Sequence, residues 1–368
     1  MTAQTEPSTV SASRITISVD AMGGDAGPAT VVAGIAISAA KNPDIGFILH
    51  GPTEQLKPLV AKKRILTGRV EFHDAPEVVS MEDKPSQVMR NGKKTSMWSA
   101  VESVKKGEAA GAVSCGNTGA LMAVSMIRLR KLPGVNRPAI AILWPSGNPQ
   151  GFNVMLDVGA DVRADAKDLL QYALMGTSYT RNSMGITRPR VGLLNVGTEE
   201  HKGHAELKEA YTLISDHAER GSFEFVGFVE GSDIPGNTAD VIVTDGFTGN
   251  VAIKTGEGTA SLIRTTLRES FTYSLLSRLA ALFAMPSLNR LSKKIDPRRV
   301  NGGVFLGLNG TIVKSHGGAD ATGVSAAVKL AFLLAQQGFA EKLAARVASS
   351  AELTQSNTDS ETTLVTDN

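Results

Sequence analysis

Residues 15–25, ITISVDAMGGD, decide the fold class, because an apolar run of strand length passes directly into a Gly-Gly turn. Pro28 follows at a position typical of the first turn of a helix. A strand, a glycine turn and a helix N-terminus in this order present unpaired N–H groups to an anion. Asp20 and Asp25 oppose that interpretation, because two carboxylates repel an anion unless they cap the turn or orient a basic group. Turn formation alone is therefore an equal alternative for these residues.

Working outward, short apolar runs alternate with longer segments of helical periodicity. The apolar runs cover residues 15–19, 45–49, 139–144, 154–158, 191–196, 223–229 and 241–243. The helical segments include residues 164–181, 205–220 and a last one in which Val324, Val328, Ala331 and Ala335 share a face. This alternation predicts an α/β fold with a largely parallel sheet between layers of helices.

The sequence shows no internal repeat and no clear linker between these segments. We therefore predict one α/β domain over residues 14–349, with a helical excursion at about 255–300. The flanking residues 1–13 and 350–368 are rich in Ser and Thr and lack apolar periodicity, which predicts disordered tails.

Composition restricts the partners and the compartment. No run approaches 18 apolar residues, the start resembles no export signal, and the one cysteine cannot form an intrachain disulfide, so a cytoplasmic protein is expected. The formal charge is +2, but five acidic residues lie in the two tails, so the body carries about +7. That surplus favours anionic partners: phosphate, an acidic carrier protein or an anionic membrane. Nucleic acid is not predicted, because the basic residues form no recognition motif.

A second turn, SCGNTG at residues 114–119, offers hydroxyl, amide and backbone donors to an oxyanion through Ser114, Asn117 and Thr118. Cys115 within it suggests a covalent acyl-enzyme. No histidine lies near it in the sequence, however, and an inert buried cysteine is the more common case.

The third segment, NVGTEEHKG at residues 195–203, follows an apolar strand and contains Thr198 and Lys202. A lysine in a glycine-flanked loop at a strand end is suited to a phosphate or a thioester oxygen, although a solvated surface loop explains it equally well. His201 and His204 have no further ligand cluster, so no metal is expected.

Two more glycine-rich segments complete the set. TDGFTGN at residues 244–250 contains Asp245 and Asn250, and residues 302–318 contain Asn309, Lys314 and His316 among six glycines. Such glycine density predicts a pocket wall where the backbone approaches a ligand, although a lone histidine is by default structural. The chain contains no Walker A loop and no full G-x-G-x-x-G fingerprint, so nucleotide binding is not the first choice.

Over nearly all of residues 15–345 these segments closely resemble the PlsX family of phosphate acyltransferases. The segments that carry the resemblance are ISVDAMGGD, SCGNTGALM, LPGVNRPAIA, MLDVGAD, LLNVGTEEHKG, IVTDGFTGNVAIKT and GLNGTIVKSHG. The resemblance implies a three-layer Rossmann-like fold related to phosphate acetyltransferases and isopropylmalate dehydrogenases. It also implies a homodimer without a cofactor that converts acyl-acyl carrier protein and inorganic phosphate to acyl phosphate for phospholipid synthesis.

The resemblance further implies peripheral association with the inner face of the cell membrane, where a glycerol-3-phosphate acyltransferase would use the product. By motif position, the functionally important lysine and asparagine of the family correspond to Lys202 and Asn250. We expect the remaining substrate- and phosphate-binding residues to be Asp20, Gly23, Gly24, Asp25, Ser114, Asn117, Thr118, Thr198, Asp245, Asn309, Lys314 and His316. The family usually has a small residue such as alanine in place of Cys115, which favours direct transfer without an acyl-enzyme.

Three alternatives stay open. A phosphate acetyltransferase or butyryltransferase would share the fold but take acyl groups from coenzyme A. A dehydrogenase would need a carboxylate cluster for a divalent metal and a nicotinamide site, neither of which the sequence supplies. A non-catalytic membrane-surface scaffold would have no reason to place five glycine-rich loops at strand ends.

The membrane prediction rests on residues 271–299. Apolar residues at helical spacing include Leu275, Leu276, Leu279, Leu282 and Phe283, and further ones follow Pro286, which predicts two short amphipathic helices with a bend at the proline. The basic residues of the segment are Arg278, Arg290, Lys293, Lys294, Arg298 and Arg299. An interfacial helix pair would be held by apolar burial and charge. The alternative is that the apolar stripe packs on the core or across a dimer interface.

Overall fold

A computed structural model describes residues 14–295 and 302–348 of the chain. These residues form one sheet of eleven strands surrounded by helices. The strands are β1 (Ile15–Asp20), β2 (Ile45–Gly51), β3 (Val70–Asp74), β4 (Gly111–Ser114), β5 (Ala139–Pro145), β6 (Phe152–Leu156), β7 (Arg190–Leu194), β8 (Glu224–Val229), β9 (Val241–Val243), β10 (Gly303–Leu306) and β11 (Thr311–Lys314).

Helices connect most of these strands. They are α1 (Gly27–Lys41), α2 (Thr53–Ala61), α3 (Pro85–Asn91), α4 (Ser96–Lys105), α5 (Thr118–Arg128), α6 (Ala166–Met184), α7 (Ala205–His217), α8 (Gly246–Thr272), α9 (Leu275–Ile295), α10 (Ala321–Gln336) and α11 (Phe339–Ala348). All seven apolar runs that we predicted as strands overlap strands, and the helices predicted at 164–181 and 205–220 correspond to α6 and α7.

The sheet has the strand order β3-β2-β1-β4-β11-β10-β5-β6-β9-β7-β8. The first five strands are mutually parallel, and so are the last four. β10 is antiparallel to both of its neighbours, and β5 is antiparallel to β6. The predicted mostly parallel α/β sheet is confirmed, and the three antiparallel pairs divide it into two halves whose strands run in opposite directions.

Each face of the sheet carries a layer of helices. Successive residues of a strand point to opposite faces, and in β11 Val313 packs in the same cluster as Val324 of α10, whereas Ile312 packs with Leu121 of α5. α1 and α10 share the first face and approach closely, because Gly34 of α1 lies against Val324. The fully buried Tyr172 and Tyr179 of α6 belong to the same cluster.

Helices α8 and α9 form a long hairpin, defined here as residues 246–295, whose distal half is exposed. The excursion that we predicted is therefore helical, but the predicted bend at Pro286 is wrong. α9 continues through Pro286, and the break falls before Leu275 instead. Proline removes only one backbone hydrogen bond here, to the carbonyl of Leu282, and its neighbours are mostly strong helix formers. Arg298 and Arg299 lie outside the described residues, as do the predicted tails.

Within the described ranges, no single helix has the length and apolar composition needed to cross a bilayer. The pair α10 and α11, bent by 62°, meets the criteria of length and composition only when both helices are taken together.

Candidate active site

Three loops meet at the carboxyl ends of β1, β4 and β11, which are neighbours in the parallel half of the sheet. They border a cavity of ≈ 420 Å³, called here the central cleft. Its opposite wall is formed by α8 and the loop after β6. Carboxyl ends of parallel strands are the usual ligand-binding edge of such sheets. The side chains of Asp25, Thr118, Asn250, Lys254, Lys314 and His316 all border the cleft.

The floor of the cleft is built on Asp20, which is 1% exposed at the end of β1. Its carboxylate accepts hydrogen bonds from the backbone N–H of Gly23 at 3.1 Å and from Ser114 Oγ at 2.7 Å. Ser114 Oγ in turn accepts the backbone N–H of Gly116 at 3.0 Å. Burial raises the pKa of Asp20, although hydrogen bonds from Ser114 and others oppose the shift. Asp20 and Ser114 therefore link two loops beneath the cleft, and neither is among the residues that border it.

Gly24 and Asp25 pack the loop after β1 against the loops after β4 and β11. Gly24 has φ +91°, a conformation that favours glycine, and a Cβ there would clash with the Cβ of Cys115 at 2.8 Å. The backbone N–H of Asp25 donates to the carbonyl oxygen of Gly317 at 2.9 Å. This close packing fixes the loop that exposes the Asp25 carboxylate to the cleft.

Asn117 shapes the cleft from the β4 loop. Its Oδ1 caps α5 by accepting the backbone N–H of Ala120, and its Nδ2 donates to the carbonyls of Met81 and Asp83. The amide is thus occupied with holding the loop around Met81 over the cleft. Thr118, the next residue, borders the cleft directly. Of the three donors that we predicted in this turn, the structure brings one to the cleft surface.

Lys314 supplies a partly buried positive charge at the end of β11. Its Nζ donates to the backbone carbonyls of Cys115, at 3.4 Å, and Ser315. Burial lowers the pKa of Lys314 to about 8, opposed by the charges of Cys115, Asp20 and Asp25. His316 lies exposed beside it and accepts the backbone N–H of Gly318 at 3.2 Å. A lysine kept partly desolvated among glycine-rich loops is a strong ligand for an oxyanion.

The other wall presents Asn250 and Lys254, which lie one turn apart on α8 and so face the same cavity. The carbonyl oxygen of Asp157 lies so close to Gly249 that a Cβ there would collide with it, which allows the first turn of α8 to pack on the loop after β6. The Asp157 carboxylate accepts backbone N–H groups from Ile140, Ala160 and Asp161. Burial raises the pKa of Asp157 to about 6. This carboxylate orders the loop against which α8 packs.

Lys202 lies elsewhere, on the loop between β7 and α7. Its Nζ forms an ion pair with Glu199 at 2.8 Å, and the hydrogen bond that it donates to the Glu199 carboxylate raises the pKa of Lys202. Asn195 closes this loop by donating from Nδ2 to the carbonyl oxygen of Lys202 at 3.2 Å. Thr198 is exposed on the same loop. The structure does not bring Lys202 or Thr198 to the central cleft.

The Lys202 loop instead borders a second cavity of ≈ 800 Å³, called here the apolar pocket. This pocket opens at the carboxyl ends of β7, β8 and β9 and touches the first two turns of α8. Asp245, at its mouth, caps α8 by accepting the backbone N–H of Thr248 at 2.9 Å. Asp245, which we predicted among the substrate- and phosphate-binding residues, therefore borders the apolar pocket and not the central cleft.

Asn309 is also separated from the cleft. It lies in the turn before β11, at the opposite end of that strand from Lys314, where its backbone N–H donates to the carbonyl oxygen of Arg130. The density of glycines in residues 302–318 gave no indication that Asn309 and Lys314 lie at opposite ends of β11.

Lys254 and Met81 were not predicted as site residues. The four-residue spacing between Asn250 and Lys254 was a usable signal for Lys254, but nothing in the sequence connects Met81 to the cleft.

The described part of the chain contains no group of three or more His, Cys, Asp and Glu side chains arranged to hold a metal ion.

Comparison with known proteins places this chain in a family. The profile of the family described as "Fatty acid synthesis protein" matches residues 15–342. The phosphate acyltransferase of Ruegeria sp. (strain TM1040) is 80% identical over 360 residues, which cover 98% of this chain and 96% of that protein. That of Ruegeria pomeroyi is 76% identical over 355 residues and covers 96% of both. The chain belongs to the phosphate acyltransferase family. It is therefore an acyltransferase.

Solved structures agree on the fold of this phosphate acyltransferase family member. A phosphotransacetylase from Streptococcus pyogenes superimposes with a TM-score of 0.58 at 18% identity, covering 88% of this chain and 94% of that one. The EutD phosphotransacetylase from Staphylococcus aureus gives 0.54 at 15% identity with the same coverage. The likeness to phosphate acetyltransferases that the sequence implied is thus confirmed at the level of the fold.

Proposed function

We propose that the protein transfers a fatty acyl group from acyl-acyl carrier protein to inorganic phosphate, and that the acyl phosphate serves phospholipid synthesis. The observation that carries the proposal is the position of Lys314. In a chain of the phosphate acyltransferase family, this partly desolvated cation lies among three interlocked glycine-rich loops and borders the same cleft as Asn250 and Lys254.

The central cleft suits inorganic phosphate. Lys314 and Lys254 provide positive charge, and Thr118 and the glycine backbone provide donors. Asp25 and Glu257 also border the cleft and would repel a dianion placed beside them. We therefore assign phosphate to the side of the cleft nearest Lys314, with Asn250 donating to the reacting carbonyl oxygen.

The reaction needs no covalent enzyme intermediate. A phosphate oxygen attacks the thioester carbonyl, a C–O bond forms, and the C–S bond breaks as the tetrahedral intermediate collapses. The thiolate of the carrier leaves and takes a proton from water, and its ordinary pKa near 8.5 makes it a tolerable leaving group. Positioning and oxyanion stabilisation then supply the catalysis. Cys115 is 4% exposed, and burial raises its pKa, which opposes a role as nucleophile.

We assign Lys202 to the carrier side of the reacting thioester. Its motif position supports a functional role, and its place on a loop at the edge of the apolar pocket, which borders α8 as the Asn250 cleft does, supports this part of the substrate. The Lys202 side chain is 41% exposed and is paired only with Glu199 among the described ion pairs, so the substrate can displace that partner at low cost.

We further propose that the α8–α9 hairpin binds an anionic membrane surface peripherally and that the protein is a homodimer. Exposed apolar side chains support membrane binding: Leu275 is 83% exposed, Leu276 79% and Phe283 84%. Arg278 and Arg290 lie on α9, whose sequence also includes Lys293 and Lys294. Apolar insertion combined with basic charge favours an interface. A product released there would meet the downstream glycerol-3-phosphate acyltransferase. If the dimer interface ran along the hairpin, it would cover these exposed residues, and that is the alternative to membrane binding.

The test compares carriers. Purified protein is mixed with phosphate and either palmitoyl-acyl carrier protein or palmitoyl-coenzyme A, and the released thiol and the hydroxamate formed with hydroxylamine are measured. Phosphate-dependent release from the carrier protein at much the higher rate is expected. Preference for coenzyme A would support a phosphate acetyltransferase-like activity, and absence of turnover with both would favour the scaffold alternative.

A further inference from the structure

We infer that the apolar pocket binds the fatty acyl chain of the substrate and that its depth sets the preferred chain length. This inference rests on the proposed function, because it assigns the tail of the acyl donor whose carbonyl reacts in the central cleft. It concerns a cavity distinct from that cleft, formed by the other half of the sheet.

The lining of the pocket is suited to hydrocarbon. Leu169, Leu194, Ile234 and Ala164 are each less than 9% exposed and form its depth. Phe247 and Val251, which are 63% and 51% exposed, extend the apolar surface to the rim. A volume of ≈ 800 Å³ lies within the range of about 300–1,000 Å³ that small-molecule sites occupy.

Most polar groups that line the pocket already have partners within the protein. Asp245 is occupied with capping α8, and Asn195 with closing the Lys202 loop. Arg163 and Glu206 form an ion pair with each other at 3.0 Å. Because these groups are already partnered, the interior offers little to a polar ligand and much to an apolar one.

One wall is common to the pocket and the reacting centre and separates them. The wall consists of the loop at residues 158–162 and the first turns of α8. On this wall Gly159 and Asn250 face the central cleft, whereas Val162, Val251 and Ala252 face the apolar pocket. Because Asn250 and Val251 are neighbours on α8, a thioester carbonyl held at Asn250 lies across this helix from a cavity large enough to hold the chain attached to it. The Lys202 loop closes the other side of the pocket, where the carrier side of the thioester is assigned.

The assignment predicts how rate depends on chain length. Each buried methylene contributes a factor of about 4 to binding, so a longer chain gains affinity until the pocket is full. Ala252 is the position at which to test this, because it is small, lies on α8 and borders the pocket. A phenylalanine there removes pocket volume that a palmitoyl chain needs and that a butyryl chain does not fill.

The experiment measures kcat/KM for phosphorolysis of butyryl-, octanoyl- and palmitoyl-acyl carrier protein. In Ala252→Phe the ratio of palmitoyl to butyryl activity should fall by 10-fold or more, which is about two methylenes of lost burial. Ala260→Phe makes the same change on the same helix outside the pocket, and should leave the ratio unchanged. A folded Ala252→Phe protein with an unaltered ratio overturns the inference, as does an equal loss on all three chains.

A binding measurement on the wild type covers the case in which Ala252→Phe fails to fold. Acyl carrier protein bearing a palmitoyl analogue with a terminal diazirine is irradiated in the complex, and the labelled peptides are mapped. Label in residues 162–169, 194–207 or 231–252 supports the pocket, whereas label confined to the α8–α9 hairpin beyond residue 252 contradicts it. Labelling requires no turnover. If the protein binds the acyl tail in the apolar pocket but forms no acyl phosphate, the proposed function is wrong and the assignment of the pocket stands.

Discussion

Replacing Lys314 with methionine should separate two effects of this lysine. One is the cost of its buried charge to folding stability, and the other is its contribution to phosphate binding. Burial lowers its pKa from 10.5 to about 8, a difference that corresponds to about 3 kcal/mol of unfavourable free energy for holding the charged form at pH 7. Lys314→Met keeps the aliphatic stem and removes the charge. It also leaves the carbonyls of Cys115 and Ser315 without this donor, at about 1 kcal/mol each. The variant should thus be about 1 kcal/mol more stable at pH 7.

The sign of the effect should reverse with pH. The folded-state pKa of Lys314 lies below the unfolded value, so the unfolded chain binds more protons between about pH 8 and 10.5. The free energy of unfolding of the wild type therefore rises through that window, and the variant lacks this rise. By pH 10 most of the charge cost has gone, and the variant should be about 1 kcal/mol less stable than the wild type.

The assay is urea unfolding at pH 7 and pH 10, with Lys329→Met as the control, since Lys329 is exposed on α10. The free energy of unfolding of the control should differ from that of the wild type by the same amount at both pH values.

Adding phosphate at pH 7 should stabilise the wild type and not Lys314→Met, and KM for phosphate should rise in the variant. Equal phosphate stabilisation of both proteins, or a variant less stable than the wild type at both pH values by the same amount, would refute the reasoning.

The other predictions concern three separate residues. Lys202→Ala should lower turnover by about 10²-fold while the urea midpoint stays constant, and near wild-type phosphorolysis would remove Lys202 from the site. Cys115→Ala keeps the Cβ that packs on Gly24 and should remain active, whereas a folded but inactive variant, or acyl label recovered on Cys115, would establish an acyl-enzyme. Leu279→Glu, at a position that is 57% exposed, should stay folded yet no longer float with anionic liposomes. Failure of the wild type to bind such liposomes would contradict the membrane proposal.

Much of the fold followed from local pattern. The apolar run at residues 15–19 and the Gly-Gly turn after it correctly indicated β1, its loop and α1, because strand length and turn chemistry are local properties. Strand direction is not local. The reversal through β10 and β5 depends on tertiary pairing, and it places the strand ends of the two halves at two different cavities. One domain over residues 14–349 stays a prediction.

The same limit applies to the candidate site. Glycine-rich loops at strand ends identified the positions of Asp25, Thr118, Lys314 and His316 around one cleft. They did not reveal that Asp20 is committed to its own loop, because a buried carboxylate and a ligand-facing one have the same sequence signature. The residue types of the loops also did not indicate that the Lys202 loop lies away from the central cleft.

The most direct test of the central claim follows the phosphorus atom. Palmitoyl-acyl carrier protein is incubated with ³²P-labelled phosphate and the wild-type protein, and the radioactivity that enters the organic-extractable product is compared with the thiol released. The proposed direct transfer predicts one labelled phosphate in acyl phosphate for each carrier thiol, from the first turnover onward. Thiol release without phosphate incorporation would show hydrolysis instead and would contradict acyl transfer to phosphate.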